Sequence, residues 1–390
     1  MHELDDDLLF TLIDHFEKIE DPRLNRTRKH NVIDIIAITV MATVSGMKNW
    51  IDIVDWGKAN EEWLRKLLEL PNGIPSHDTF GRVFSLIKPE PFQSAFKEWV
   101  ESIDLNFHAR ETIAIDGKIL KGSVRKKSDN IDKKSTLLIV SAWACKSGLS
   151  LGQLSSRMGK DEGEKKTMEK LLDQIDVNGN IITIDAAGAT PNIVKKIAKK
   201  GGDCVIGLKD NQPTARALAE NLFKNENSKE KIKEFNQAGK GHGRIENRKY
   251  ELLVLSSLNI AELNPAIAKF NKKLPSILSF GRVTSEIKKG TVTTIYERFF
   301  LTSLTNEMEF AESAREHWNV ENTLHWQLDV TFREDDCRVR MGYAADNLGL
   351  IRRLALSLLK KETISKKSIR RKQNACNWDK DYLLQILQGI

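Results

Sequence analysis

The hydrophobic residues of the first hundred positions recur at helical spacing, which predicts an all-helical N-terminal domain over residues 1–108. An amphipathic first helix is expected to stop at Pro22, and further helices are predicted over Val32–Met47, Trp50–Leu70 and Asp78–Ile87. The run Val32–Met47 contains Asp34 and is shorter than the roughly 20 residues of a membrane span, so it predicts a buried helix.

The segment Pro75–Leu86 has two interpretations. Its tight turn followed by a capped helix fits the second helix of a DNA-binding helix-turn-helix, and it fits a small helical packing domain equally well.

From residue 109 the pattern changes to alternating strands and helices. Three short strands are predicted over Thr112–Asp116, Thr136–Trp143 and Leu149–Ser156, followed by a helix–strand–helix–strand–helix series up to residue 224. Three strands followed by such a series are the order of an RNase H-like fold. Right-handed crossovers would return the strand that ends at Asp185 parallel to the first strand, where it can lie beside it.

A β-rich insertion is predicted over residues 225–305. The polar, lysine-rich segment Asn225–Gly243 leads into alternating runs at Arg248–Leu255, Ile277–Glu286 and Thr291–Leu304. Helices over residues 306–362 are expected to complete the core, and residues 363–390 form a basic tail. The predicted fold class is therefore α/β: an RNase H-like core with a β-rich insertion, preceded by an all-helical domain.

Composition adds weaker indications. The net charge of +7 points toward a polyanionic partner, although basic runs are often only solvated surface. The four cysteines have no CxxC spacing, which argues against a zinc knuckle and a disulfide framework. Met1–Asp7 is acidic rather than basic and apolar, so no signal peptide is indicated, and we expect a cytoplasmic protein without a membrane partner.

Two apolar runs end abruptly in aspartate, IAID at Asp116 and ITID at Asp185. A carboxylate at the edge of a hydrophobic sheet is costly unless it is paired or hydrogen-bonded. If the two strands are neighbours, both carboxylates project at one edge, and a helix returning from the insertion could bring Glu321 against them. Three clustered carboxylates favour divalent ions with oxygen ligands, Mg²⁺ above all, and two such ions suit phosphodiester displacement.

The surroundings of Glu321 leave alternatives open. At helical spacing His317, Glu321 and His325 share one face, which would also allow a zinc site, although the spacing is not HExxH. Asp329 is close enough in sequence to rival Glu321 as the third acid. Asp329 is otherwise interpreted, like the later acids Glu334 to Asp336, as a solvated or supporting group.

Several motifs resemble transposases of the ISAs1 family, the group of the H-repeat-associated proteins, within the broader IS4-like DDE transposases. The resemblance spans nearly the whole chain and is carried by DPR (Asp21–Arg23), GIPSHDTFGRVF (Gly73–Phe84), IDGKILKGS (Ile115–Ser123), VSAW (Val140–Trp143), TIDAAG (Thr183–Gly188), LKDNQ (Leu208–Gln212), HGRIENR (His242–Arg248) and HWNVENTLHWQLDVTFREDDCRVR (His317–Arg340).

The resemblance implies a catalytic, metal-binding triad of Asp116, Asp185 and Glu321. It also implies two Mg²⁺ (or Mn²⁺) ions, double-stranded DNA at element ends and target as substrate, a homodimer in the synaptic complex, and metal-dependent cleavage and strand transfer. The chain departs from the family pattern at Thr190, where a glutamine is usual, at Glu162–Glu164, where SNE is usual, and in lacking the tyrosine–arginine–glutamate–lysine signature around Glu321.

Residues near the predicted acids are candidates for DNA phosphate contacts: Lys118, Lys121, Lys209, Arg244, Arg248, His317 and His325. Two rival functions use the same features. One is a catalytically silent DNA-binding remnant, and the other is a structure-directed nuclease of the same fold.

Overall fold

The computed structural model describes residues 14–103, 110–125, 135–157, 163–188, 190–241, 244–258 and 265–388. The chain forms two compact units. The first unit comprises Met1–His108, Gly117–Gly163 and Glu321–Ile390, and the second comprises Ala109–Asp116 and Glu164–Val320. Most of the first predicted helix lies outside the described residues. No helix in the described part of the chain is long and apolar enough to cross a membrane.

The first unit begins with helices α1 (Val32–Val44), α2 (Trp50–Ala59), α3 (Glu61–Leu64), α4 (His77–Leu86) and α5 (Pro89–Ile103). Residues 65–76 separate α3 from α4, too many for the short turn of a compact helix-turn-helix. Helix α1 is almost entirely buried, as its apolar run predicts. Its Asp34 is tolerated in the core because it accepts a hydrogen bond from the Leu70 backbone N–H at 3.1 Å.

Strands β1 (Thr112–Arg125), β2 (Ser135–Ala144) and β3 (Leu149–Arg157) follow, and their order in the first unit is β3-β2-β1. Strand β1 passes from the second unit into the first between Asp116 and Gly117.

The second unit continues with α6 (Gly163–Gln174), β4 (Ile181–Ile184), α7 (Pro191–Lys199), β5 (Asp203–Leu208), α8 (Pro213–Lys224) and α9 (Glu226–Lys229). Strands β1, β4 and β5 are parallel neighbours, with Ile115 paired to Ile184 and Ile184 to Ile206. Parallel pairing requires crossover connections, which α6 and α7 provide. The prediction that the strand before Asp185 lies beside and parallel to the first strand is confirmed.

The β-rich region contains β6 (Ile232–Gly241), β7 (Arg244–Val254), α10 (Pro265–Lys273), β8 (Ser279–Lys289) and β9 (Val292–Thr302). Strand β9 pairs antiparallel with β5, so these strands extend the sheet of the second unit in the order β1-β4-β5-β9-β8-β7-β6. Strand β6 lies in the polar, lysine-rich segment Asn225–Gly243, where no strand was predicted. It is an exposed edge strand and therefore lacks the alternation that marks a half-buried strand.

Helix α11 (Glu307–Val320) closes the second unit. The chain then forms two π-helical segments, Glu321–His325 and Gln327–Thr331, before α12 (Ala344–Lys361), α13 (Ile369–Trp378) and α14 (Lys380–Gln388) complete the first unit. Residues 344–359 of α12 are all buried, which makes α12 the centre of the first unit's core. Together the elements form a mixed α/β protein with a large sheet.

Candidate active site

Asp116 and Asp185 lie at corresponding positions on neighbouring parallel strands. The last paired residues of β1 and β4 are Ile115 and Ile184. Asp116 is the next residue of β1, and Asp185 directly follows the end of β4. Side chains at matching positions of a parallel pair point to the same face of the sheet, and neighbouring strands are about 4.8 Å apart. Both aspartates are half-buried. The predicted meeting of the two strand ends is confirmed.

Glu164 is a third carboxylate near this edge. It occupies the first turn of α6, and Met168 one turn later packs on the residues that follow Asp185, since a Cβ on Gly188 would come within 2.7 Å of the Met168 Sδ. Residues four apart lie on one helix face, so Glu164 faces the same way as Met168. Partial burial raises the pKa of Glu164, and the charges of Asp185 and Asp116 raise it further.

Helix α11 lies along β1 and β4 through two polar contacts. The Ser313 hydroxyl is 3.2 Å from the Thr112 hydroxyl, and the Nδ1 of His317 is 3.0 Å from the Thr183 Oγ1. Thr183 is paired with Ala114, two residues beyond Thr112 along β1. The helix therefore runs in the same direction as the strands, toward the edge that carries Asp116 and Asp185.

Lys209 directly follows β5, and its Nζ lies 3.6 Å from the Oδ2 of Asp185. The lysine side chain is 72% exposed and the aspartate 31%, so this contact is weak and the ammonium group can move to another anion.

Glu321 is exposed and begins the first π-helical segment directly after α11. The expectation that His317, Glu321 and His325 share one face of a regular α-helix is wrong, because the α-helix ends at Val320 and a π-helix has wider turns. His317 is bonded to Thr183, and His325 is buried. π-Helical turns are frequent at functional sites.

Lys118 belongs to a buried ion network in the first unit. Its Nζ contacts Asp329 and lies 3.1 Å from Glu334, which also pairs with Arg353 at 2.9 Å. Burial alone would raise the pKa of Glu334, but the charges of Arg353, Lys118 and Arg352 lower it to about 2. Of the two interpretations of Glu334, a solvated or a supporting group, the first is wrong, because Glu334 is completely buried.

The other predicted DNA contacts lie in different settings. Lys121 is 82% exposed and pairs with Asp335 at 2.9 Å. Arg248 on β7 is largely buried and pairs with Glu246 at 2.6 Å. Arg244 is the first residue of β7. Their contacts with DNA, like that of Lys118, stay predictions.

The donor set at the strand edge suits a hard divalent cation, because Asp116, Asp185 and Glu164 offer carboxylate oxygens and their mutual repulsion is relieved by a cation. Within the described residues, no three His, Cys, Asp or Glu side chains are already arranged as a metal site. An all-oxygen donor set suits a hard divalent cation better than the nitrogen and sulfur ligands of zinc sites do.

Two family models match the chain. Residues 108–358 match the transposase DDE domain, and residues 13–100 match the DDE_Tnp_1-associated domain. A chain with two adjacent strand-end aspartates and this match over more than half its length belongs to the transposase DDE domain family. Within that family it is an IS4-like DDE transposase of the H-repeat type.

Curated relatives match the chain over nearly its whole length. The chain is 33% identical over 394 residues to the H repeat-associated putative transposase YhhI of Escherichia coli (strain K12), covering 97% of this chain and 98% of that protein. It is also 33% identical over 387 residues to the putative protein YbfL of the same strain, with 97% and 98% covered. A piggyBac transposase synaptic complex with hairpin DNA aligns with a TM-score of 0.43 and 12% identity, over 97% of this chain and 79% of that chain.

Proposed function

We propose that this chain is an active DNA transposase of the ISAs1 family that cleaves DNA at element ends and joins the 3′ ends to target DNA. Its core is RNase H-like, with Asp116, Asp185 and Glu321 as catalytic acids. The observation that carries the proposal is the placement of Asp116 and Asp185 one residue beyond the Ile115–Ile184 pair of β1 and β4. Three strands followed by strands returning parallel to the first support the core assignment.

The direction of α11 supports Glu321 as the third acid. The contacts of Ser313 with Thr112 and of His317 with Thr183 are one helical turn apart, and they advance toward the aspartates. The next turn begins at the end of α11, and Glu321 is the residue that follows Val320. Asp329, the rival third acid, is engaged by Lys118.

In the proposed mechanism the three acids bind the metal ions, and neighbouring residues position the acids or bind the DNA. Asp116 and Asp185, with Glu321, would hold two Mg²⁺ or Mn²⁺ ions through carboxylate oxygens. When bound, such ions activate the attacking hydroxyl and stabilise the leaving oxygen of an in-line displacement. Thr183 holds His317, and thereby α11, against the strand that carries Asp185. Lys209 can exchange its weak contact with Asp185 for a phosphate oxygen of the DNA.

The substrate is double-stranded DNA, and we infer that the protein works in the cytoplasm as a homodimer that brings two element ends together. Further contacts with the DNA are proposed for the remaining basic candidates: Lys118, Lys121, Arg244, Arg248, His317 and His325.

The decisive experiment uses the purified full chain and a labelled duplex that carries an element end. Wild type should cleave in Mg²⁺ and Mn²⁺ and not in EDTA. Glu321→Gln, Asp116→Asn and Asp185→Asn should each abolish cleavage while keeping DNA affinity. Glu312→Gln, an exposed carboxylate on α11, is the matched control and should cleave normally. Cleavage by Glu321→Gln at the wild-type rate would disprove the assignment of the third acid.

A catalytically silent, DNA-binding remnant is the second candidate. The chain is 36% identical over 74 residues to a protein named inactive transposase YbfQ of Escherichia coli (strain K12). The match covers 19% of this chain and 88% of that protein. The departures at Gly163 and Thr190 favour the same candidate. End binding by wild type without any cleavage would support it, whereas cleavage without joining of 3′ ends would support a nuclease.

A further inference from the structure

The first unit contains an open cleft of about 1300 Å³. One wall is made by the N-terminal parts of α2 and α4, and the other by the segment Arg333–Gly342 that precedes α12. Trp50 contributes to its lining, and the Trp50 ring is stacked on Phe84 with centroids 5.2 Å apart. We call this space the arginine cleft.

The walls of the arginine cleft are fixed by hydrogen bonds. The Asn347 side chain on α12 donates to the carbonyl oxygens of Phe84 and Ile87, both at 2.9 Å, and thereby ties the end of α4 to the core. The backbone N–H of Tyr343 donates to the Ser85 carbonyl at 3.1 Å, which ties the opposite wall to the same helix. The cleft is therefore preformed, so a ligand would not have to order it on binding.

The charge of the arginine cleft is positive. Its lining includes five basic side chains and three acidic ones: Lys48, Arg82, Arg333, Arg338 and Arg340 against Asp52, Asp78 and Asp336. The acids are partly engaged, since Asp336 pairs with Arg333 at 2.5 Å and Asp52 accepts the Lys48 backbone N–H.

Arg82 and Arg338 differ from the other arginines of the cleft. Both are exposed, they come from opposite walls, and among the described residues no ion pair or hydrogen bond engages either guanidinium group. By contrast, Arg340 donates from Nε to the Gly122 carbonyl at 2.9 Å. Two unengaged guanidinium groups on facing walls are suited to bind phosphate oxygens in pairs.

We propose that the arginine cleft binds the sugar–phosphate backbone of double-stranded DNA, with Arg82 and Arg338 as phosphate contacts. The proposal rests on the proposed function, because it names a surface of the same protein for the same substrate. The cleft exceeds the roughly 300–1,000 Å³ of small-molecule pockets and is open, which favours a polymer over a single small anion. Exposed His77 and Arg82 of α4 line it, so the capped helix of Pro75–Leu86 would meet DNA through this wall.

The test measures binding of a labelled duplex by the full chain at salt concentrations of about 50 to 200 mM. The variant R82Q/R338Q removes both charges, and K58Q/K66Q removes two exposed charges of the same unit outside the cleft. Each lost phosphate contact should reduce the slope of log K against log salt by about 0.9, so the double cleft variant should lose about 1.8. The same relation gives a loss of affinity of tens of fold at about 0.1 M salt.

The loss should be the same for an element-end duplex and a scrambled duplex, because phosphate contacts carry no base preference. The conservative variant R82K/R338K should keep most of the slope, and K58Q/K66Q should bind within about twofold of wild type, as a surface pair outside the contact contributes little. An unchanged slope in R82Q/R338Q, with an unchanged melting temperature, would overturn the proposal.

The same preparations separate this proposal from the catalytic one. If wild type cleaves DNA and R82Q/R338Q binds as wild type does, the cleft proposal fails and the transposase function stands. If wild type binds through Arg82 and Arg338 but never cleaves, the cleft proposal stands and the catalytic assignment fails.

Discussion

The Nδ1 of His317 lies 3.0 Å from the Thr183 Oγ1, and this contact joins α11 to the strand that carries Asp185. Thr183 and Asp185 are two residues apart and so point to the same face of the sheet. The hydrogen bond thus fixes the last turn of α11 on the face of the two aspartates. The position of the following residue, Glu321, depends on that turn.

Thr183→Val should impair cleavage more than it impairs folding. Losing one buried hydrogen bond costs about 1 kcal/mol of stability, but a displacement of about 1 Å at a catalytic group can cost about 100-fold in rate. Thermal unfolding and the single-turnover cleavage rate should both be measured. Thr112→Val, which removes the contact with Ser313 one turn earlier, is the control and should lose similar stability with a smaller loss of rate. Equal rate losses in the two variants would argue against a positioning role for His317.

The buried pair of Glu334 and Arg353 predicts a strong asymmetry between single and double substitutions. Arg353→Met leaves the carboxylate of Glu334 with Lys118 and Arg352 as its remaining cations, and breaking a buried pair costs about 3–5 kcal/mol. The double variant Glu334→Gln/Arg353→Met also removes the buried carboxylate charge and should recover part of that loss. Urea unfolding of the two variants tests this, and a double variant less stable than Arg353→Met would contradict it.

The same network predicts acid sensitivity. The pKa of Glu334 is lowered to about 2 in the folded protein, from an ordinary value near 4.5. Its contribution to stability is therefore fully present above about pH 4.5 and is lost as the pH falls toward about 2. In Glu334→Gln the free energy of unfolding should change less across this window than in wild type, as urea titrations at several pH values would show. Equal slopes would mean that Glu334 is not ionised in the folded protein.

The parallel core could be predicted from the sequence, because the strands of this core are buried and appear as apolar runs. The run ITI before Asp185 and the run IAI before Asp116 end where the paired region ends, which is why both acids could be predicted at one edge. Strand β6 escaped prediction because an exposed edge strand has no buried face. The π-helical turn at Glu321 was not predicted either, since a local change of turn width over five residues leaves no periodic signal in the sequence.

Glu164 was missed and Glu334 was misjudged, because the surroundings of both side chains are created by tertiary packing. Glu164 appeared only as part of a departure from the family pattern. The packing of Met168 on Gly188 places its helix near the aspartates, whose charges raise the pKa of Glu164. Glu334 and Arg353 are 19 residues apart and look like ordinary surface charges along the chain. Only the packing of α12 in the core brings them together, so a buried ion pair of this kind has no local sequence signature.

Gly281 on β8 provides a test of how the second unit is packed. A Cβ at this position would lie 2.3 Å from the Phe310 ring of α11, and Phe310 is completely buried. Gly281→Ala must displace the ring or the strand, so we expect a loss of about 1–3 kcal/mol, the usual cost of overpacking a core. Gly239→Ala on the exposed edge strand β6 is the matched control, because its nearest neighbour would be 3.9 Å away. Thermal unfolding should show a lower melting temperature for Gly281→Ala alone, and an unchanged one would mean that α11 does not pack on β8 as described.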